Sequence, residues 1–123
     1  MGDIQDIQWL PAPEDKDYPA AASYLGLLLP DAKVQALVRQ MQAAPMAKFK
    51  AKDIFRASGL ALLGVSNTHL EKDRKKIQEG KPLSPILLLR DPDHGKVVVA
   101  DGYHRLCAAY SFSEDLWIPC KIV

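Results

Sequence analysis

The residues best suited to chemistry are Asp101-Gly102-Tyr103-His104-Arg105. They follow the apolar run Val97-Val98-Val99-Ala100 and precede Leu106-Cys107-Ala108-Ala109-Tyr110, so a buried strand, a glycine turn and a helix meet there. The first turn of a helix carries backbone N–H groups without intrahelical acceptors and the positive end of the helix dipole. Together these make an anion site. His104 and Arg105 fall in that turn, and the guanidinium fork matches phosphate oxygens. Asp101 is a natural N-cap, and in that role its carboxylate would fill the same amides and repel an anion. A capped helix with a His-Arg pair on its surface is the competing reading of the same residues.

Other chemistry finds less support. The chain has no GxGxxG, P-loop, GxSxG or HExxH motif. His69, His94 and His104 lack metal-ligand spacing, and His104 with Cys107 gives two ligands, too few for structural zinc. Cys107 and Cys120 form no CxxC pair; Cys107, one helical turn beyond His104, reads as a small buried thiol. Basic residues interleave with an aromatic at Lys48-Phe49-Lys50-Ala51-Lys52, a pattern that suits nucleic acid or an edge strand guarded by lysines.

The elements that must position these residues are legible in outline. Residues 1–17 are irregular and rich in proline, with Trp9 and Leu10 as anchors of an arm. Asp17 as cap and Pro19 in the first turn open a helix that Pro30 breaks. Asp31 caps a second helix, with Val34, Leu37, Val38 and Met41 at helical spacing as far as Pro45. Residues 46–51 alternate as a short strand, Asp53 to Ala57 forms a single helical turn, and Leu60 to Asn67 is loop. Thr68 and Glu71 fit a capping box for a lysine-rich helix running to Glu79, ended by Gly80. Residues 86–90 and 96–100 are near-continuous apolar strands joined by a turn, which predicts a sheet covered on both faces. The last strand, residues 117–123, contains Pro119, which has no N–H to give and predicts an edge or a bulge.

The segment from Asp101 to Tyr110 resembles the signature of the ParB/sulfiredoxin superfamily: a glycine, then His-Arg or Arg-Arg, then small residues and an aromatic. Glu79-Gly80-Lys81-Pro82-Leu83-Ser84-Pro85-Ile86-Leu87-Leu88 is similar to that family's helix end, proline and central strand. The likeness covers residues 46–123, about two thirds of the chain, and the helical extension before it has no counterpart in the minimal family domain. It implies an α+β fold, a mixed sheet with packed helices, divided as residues 1–45 (arm and helical hairpin) and 46–123 (the family-like domain). It further implies a nucleotide- or phosphate-binding pocket, with phosphotransfer or NTP hydrolysis as the activities open to it. Gly102, His104 and Arg105 then contact phosphate, Lys72 and Lys76 form the opposite wall, and Asp101 is the catalytic candidate, as base or magnesium ligand. The implied ligands are CTP, ATP or ADP, with magnesium. Tyr103 stands where sulfiredoxins carry their nucleophilic cysteine, and a phenol is a poor replacement for a thiolate, so sulfinic acid reduction is not expected. No helix-turn-helix follows, so site-specific DNA binding is not expected either.

Composition bounds the rest. A chain of 123 residues, 48% hydrophobic and 25% charged, suits one compact unit with its own core. A net charge of +1 excludes a polybasic or acidic tail. No apolar run approaches the roughly 20 residues that span a bilayer, and the acidic start lacks the features of a signal peptide. The expectation is a cytoplasmic protein with no membrane partner. Two other readings remain open. One is a nucleic-acid accessory protein using Lys48, Lys50, Lys52 and the lysine-rich helix. The other is a non-catalytic interaction protein with a vestigial pocket, whose hairpin, with Leu27, Leu28 and Leu29, packs on the domain or on a second copy as a homodimer.

Overall fold

The computed structural model describes residues 6–61 and 68–123. Their fold is α+β. Helix α1 (Asp17–Leu25) and helix α2 (Asp31–Ala43) form the hairpin. Then come β1 (Ala47–Lys50), α3 (Ala51–Ser58), α4 (Thr68–Gln78) and β2 (Ile86–Asp91). After a 3-10 turn at Pro92–His94, β3 (Lys96–Asp101), α5 (Tyr103–Phe112) and β4 (Trp117–Ile122) close the chain. The sheet order is β1-β4-β2-β3; β4 pairs parallel with β2, and the other two pairings are antiparallel.

The apolar strands are buried on both faces because alternate side chains serve different cores. Ile86, Leu88, Val99, Ile118 and Cys120 meet Ala51 and Ile54 of α3 and Leu106 and Ala109 of α5. Leu87 and Ala100, on the other face, meet Tyr18, Ala21 and Leu25 of α1 and Val34 and Met41 of α2. The hairpin therefore completes the core of the sheet. A third cluster lies outside α5, where Leu70 and Ile77 of α4 pack on Cys107 and Ala108. Trp9 and Leu10 anchor the arm as expected: the N–H of Leu83 donates to the Gln8 carbonyl and that of Leu10 to the Leu83 carbonyl, each at 2.8 Å. Among the described residues, no helix is long and apolar enough to cross a membrane.

Four local expectations need correction. Asp17 is not a cap but the first helical residue of α1, and its carboxylate accepts the Glu14 N–H from the preceding turn and the distant Ser84 hydroxyl. Asp31 likewise begins α2 without capping it. The single turn at Asp53 to Ala57 is a two-turn helix, because Ala51, Ile54 and Ser58 bury one face. Its first amides, Ala51 and Lys52, donate to the Leu116 and Glu114 carbonyls. Pro119 sits in an interior strand. The β2 ladder begins only at Cys120, so at Pro119 the strand has β1 as its sole ladder partner and no donor is missed. Gly80 ends α4 in the left-handed conformation (φ +73°), with Lys81 N–H bonded to the Lys76 carbonyl, as the sequence predicts. The predicted loop at residues 62–67 and the Thr68 side chain of the capping box lie outside the described residues.

Candidate functional site

The site forms where β3 runs into α5 and α4 packs alongside. Asp101, Gly102, Tyr103, His104 and Arg105 line a cleft of about 240 Å3, faced by Lys72, Asp73 and Lys76 of α4. All six residues singled out in the sequence, Lys72, Lys76, Asp101, Gly102, His104 and Arg105, thus meet in one cavity. Lys72 and Lys76 are exposed at its rim, and the other four are half-buried.

Gly102 makes the junction possible. Its φ of +106° is a conformation that L side chains rarely adopt. A Cβ there would lie 2.8 Å from Ile86 Cβ and 2.9 Å from Arg105 Nη2. The glycine is therefore required by the protein's own packing: Arg105 passes beneath it to reach the start of β2. Among the described residues, no side chain caps α5, whose first α-type bond runs from the Leu106 N–H to the Gly102 carbonyl at 2.9 Å. The amides of Tyr103, His104 and Arg105 precede that bond, at the end of the helix that borders the cleft. Asp101, expected to fill them, does not.

Instead Asp101 and Arg105 face each other. Arg105 Nη2 donates to Asp101 Oδ2 at 3.1 Å and to the Pro85 carbonyl at 3.3 Å, while Nε donates to the Ser84 carbonyl at 2.8 Å. The two side chains are 18% and 16% exposed, so this is a largely desolvated pair whose attraction is offset by the loss of water. Arg105 is in consequence a structural tie between α5 and β2 as well as a cleft residue. Its Nη1 has no hydrogen-bond partner among the described residues. Burial pushes the Asp101 carboxyl up; Arg105 opposes that, and the charge of the Asp17 carboxyl adds to it.

Asp17 and Ser84 escaped the sequence reading. Asp17 is 3% exposed, and its Oδ2 accepts the Glu14 N–H at 2.8 Å and the Ser84 hydroxyl. An aspartate at a helix start carries the pattern of a cap, which masks a tertiary role. Asp73 was missed too, since it sits in a run of charged residues.

The remaining candidates separate from the cleft. The Tyr103 hydroxyl donates to the Ala61 carbonyl, and burial, with Cys107 next to it, pushes the phenol up. Both thiols are buried, and burial pushes Cys120 up to about 11. His94 is exposed and pairs with Asp91 at 2.9 Å. Lys50 and Lys52 are drawn to Asp115 at 4.0 and 2.7 Å, so one carboxylate offsets part of the positive charge of the Lys48–Lys52 segment.

A magnesium ion held by the protein does not fit this donor set. Among the described residues, no three His, Cys, Asp or Glu side chains come together as a metal site, and the Asp101 carboxyl is already engaged by the Arg105 guanidinium. No family model, no curated protein and no solved structure matches the chain.

Proposed function

We propose that the cleft between α4 and α5 binds a phosphorylated ligand, a nucleotide before others, in the manner of the ParB/sulfiredoxin superfamily that the sequence resembles. One observation carries this reading. Six residues from two separate segments, chosen for phosphate chemistry, line a single cavity at the uncapped N-terminal end of a helix. Lys72 and Lys76 supply mobile positive charge from one wall. His104, the Arg105 Nη1 and the α5 amides supply directed donors from the other. Magnesium, if involved, arrives on the phosphates of a triphosphate and is held through them. The reading is one of binding; no hydrolytic or transfer step follows from the donor set.

Thermal unfolding with CTP, ATP and ADP, with and without magnesium, tests it. A ligand at 100 times its dissociation constant adds about 2.7 kcal/mol, a rise in Tm of roughly 10 °C for a chain of this size. No shift with any of the three counts against the nucleotide assignment. Lys72→Ala with Lys76→Ala is the control of choice, because Arg105→Ala also breaks ties to Ser84 and Pro85.

A second occupant is favoured by one further feature. Lys72 and Lys76 also border a shallow depression lined by Lys75, Glu79 and Lys81; Lys81 pairs with Glu79 at 3.2 Å, and Lys75 carries positive charge out of the cleft along α4. A nucleic-acid backbone fits such a strip better than it fits the Lys48–Lys52 strand. Affinity for a duplex that falls steeply with salt distinguishes this occupant from a nucleotide.

A further inference from the structure

A second cavity, of about 240 Å3, lies between α3 and the sheet and shares no lining residue with the α4–α5 cleft. Ile54 and Ala57 of α3 face Leu88 of β2, Val97 of β3 and Ile122 of β4 across it, with Phe49 of β1 at its side. These side chains belong to the core face that α3 and α5 cover, since alternate residues of each strand point that way. Ala57 offers only a methyl group, and that leaves open the space a larger residue would fill.

Two charged side chains complete the lining, Asp53 of α3 and Arg90 of β2. Both are exposed at the rim. Neither enters an ion pair or a side-chain hydrogen bond among the described residues, with the other or with a third group. The adjacent Lys52 is engaged by Asp115 at 2.7 Å. The first turn of a helix suits an acid, which gives Asp53 a local reason. Arg90 has none: it follows the apolar run of β2 on the strand face that meets the cavity.

The charges narrow the class of occupant. Arg90 attracts a simple anion that Asp53 repels, and a simple cation meets the reverse. A molecule that carries both charges and is otherwise apolar satisfies the two together. We propose that this cavity binds an apolar α-amino acid. Its carboxylate meets the Arg90 guanidinium, whose planar fork suits a carboxylate. Its ammonium meets the Asp53 carboxylate, and its side chain lies among Ile54, Leu88, Val97 and Ile122. Small-ligand sites have this general make, an apolar lining with a few polar groups that set orientation. The site is separate from the phosphate cleft and does not depend on that reading.

Titration of the full-length protein with L-leucine and L-phenylalanine, followed by proton–nitrogen correlation spectra, tests the proposal. The expected result is saturable shifts at the amides of Asp53 to Ala57 and Leu88 to Arg90, with those of residues 102–105 unmoved. Leucine amide lacks the carboxylate and N-acetyl-leucine lacks the ammonium. Each should bind about tenfold more weakly than leucine, having lost one charge-assisted contact. Arg90→Gln should erase the difference between leucine and its amide, and Asp53→Asn that between leucine and N-acetyl-leucine. Both positions are exposed, so these variants should fold. Ala57→Leu keeps both charges but fills the cavity, and it should abolish binding. No shift at about 20 mM amino acid, beyond the millimolar affinity expected of so small a ligand, overturns the proposal. Equal binding of leucine and its two single-charge derivatives overturns it as well.

Discussion

Gly102 shows how narrow the tolerance is at the turn. Its positive φ and the closeness of Ile86 forbid a side chain on two independent grounds. Gly102→Ala should cost about 3 kcal/mol or more, combining backbone strain with overpacking, and chemical denaturation would measure it; a loss below about 1 kcal/mol would mean the turn relaxes. The sequence made this glycine visible, since a strand, a glycine and a helix in succession leave few alternatives. It gave the wrong partner for the residue beside it. Asp101 looks like a cap because local pattern favours capping, but Arg105, one turn later and tied to the Ser84 and Pro85 carbonyls, takes the same carboxyl. Tertiary competition of this kind leaves no mark in a short motif. Asp17 and Ser84 were hidden for the same reason, each having a sufficient local explanation.

At the scale of elements, helix and strand order was readable because apolar periodicity and proline or glycine breaks coincide along most of the chain. The readings that failed did so through neighbours. Helix α3 was underestimated because its first amides are satisfied by the segment before β4. Pro119 suggests an edge or a bulge because nothing local indicates that the β2 ladder begins one residue later. The hairpin was separable in sequence from residues 46–123, yet α1 and α2 cover Leu87 and Ala100 and reach Val98 and Leu89. Truncation to residues 44–123 should therefore leave an apolar sheet face in water and yield an aggregating or molten chain. A sharp thermal transition and a dispersed spectrum from that fragment would show the sheet needs only one cover. For α4 the expectation differs, because Lys72 and Lys76 are exposed. Replacing both by alanine should leave Tm within about 2 °C and weaken phosphate-ligand affinity about tenfold or more, since each charge-assisted bond contributes roughly 1.5–3 kcal/mol. Calorimetric titration reads that difference.

For the molecule as a whole, the raised Asp101 carboxyl links stability to pH with a definite sign. The folded chain keeps this proton to a higher pH than the unfolded chain, whose aspartates ionise near pH 4. The resulting stabilisation is complete below that pH and is lost as pH rises through the elevated folded value. Asp101→Asn should remove that downward slope; an identical pH profile in the variant would mean Asp101 ionises normally. Asp115, held low chiefly by its hydrogen bond to Lys52, acts in the opposite sense, with a contribution lost as pH falls below the same range, and full exposure keeps it small. The Asp101–Arg105 pair, the start of α5 and the lysine wall converge on a single cleft, and the account depends on an anion entering there. The most direct test is a proton–nitrogen correlation spectrum of the full chain titrated with ATP. The account predicts saturable shifts centred on the amides of Gly102 to Arg105 and on residues 72–76, lost in the Lys72→Ala, Lys76→Ala protein. Shifts absent altogether, or clustered along β1 and α3 with the cleft amides unmoved, would contradict it.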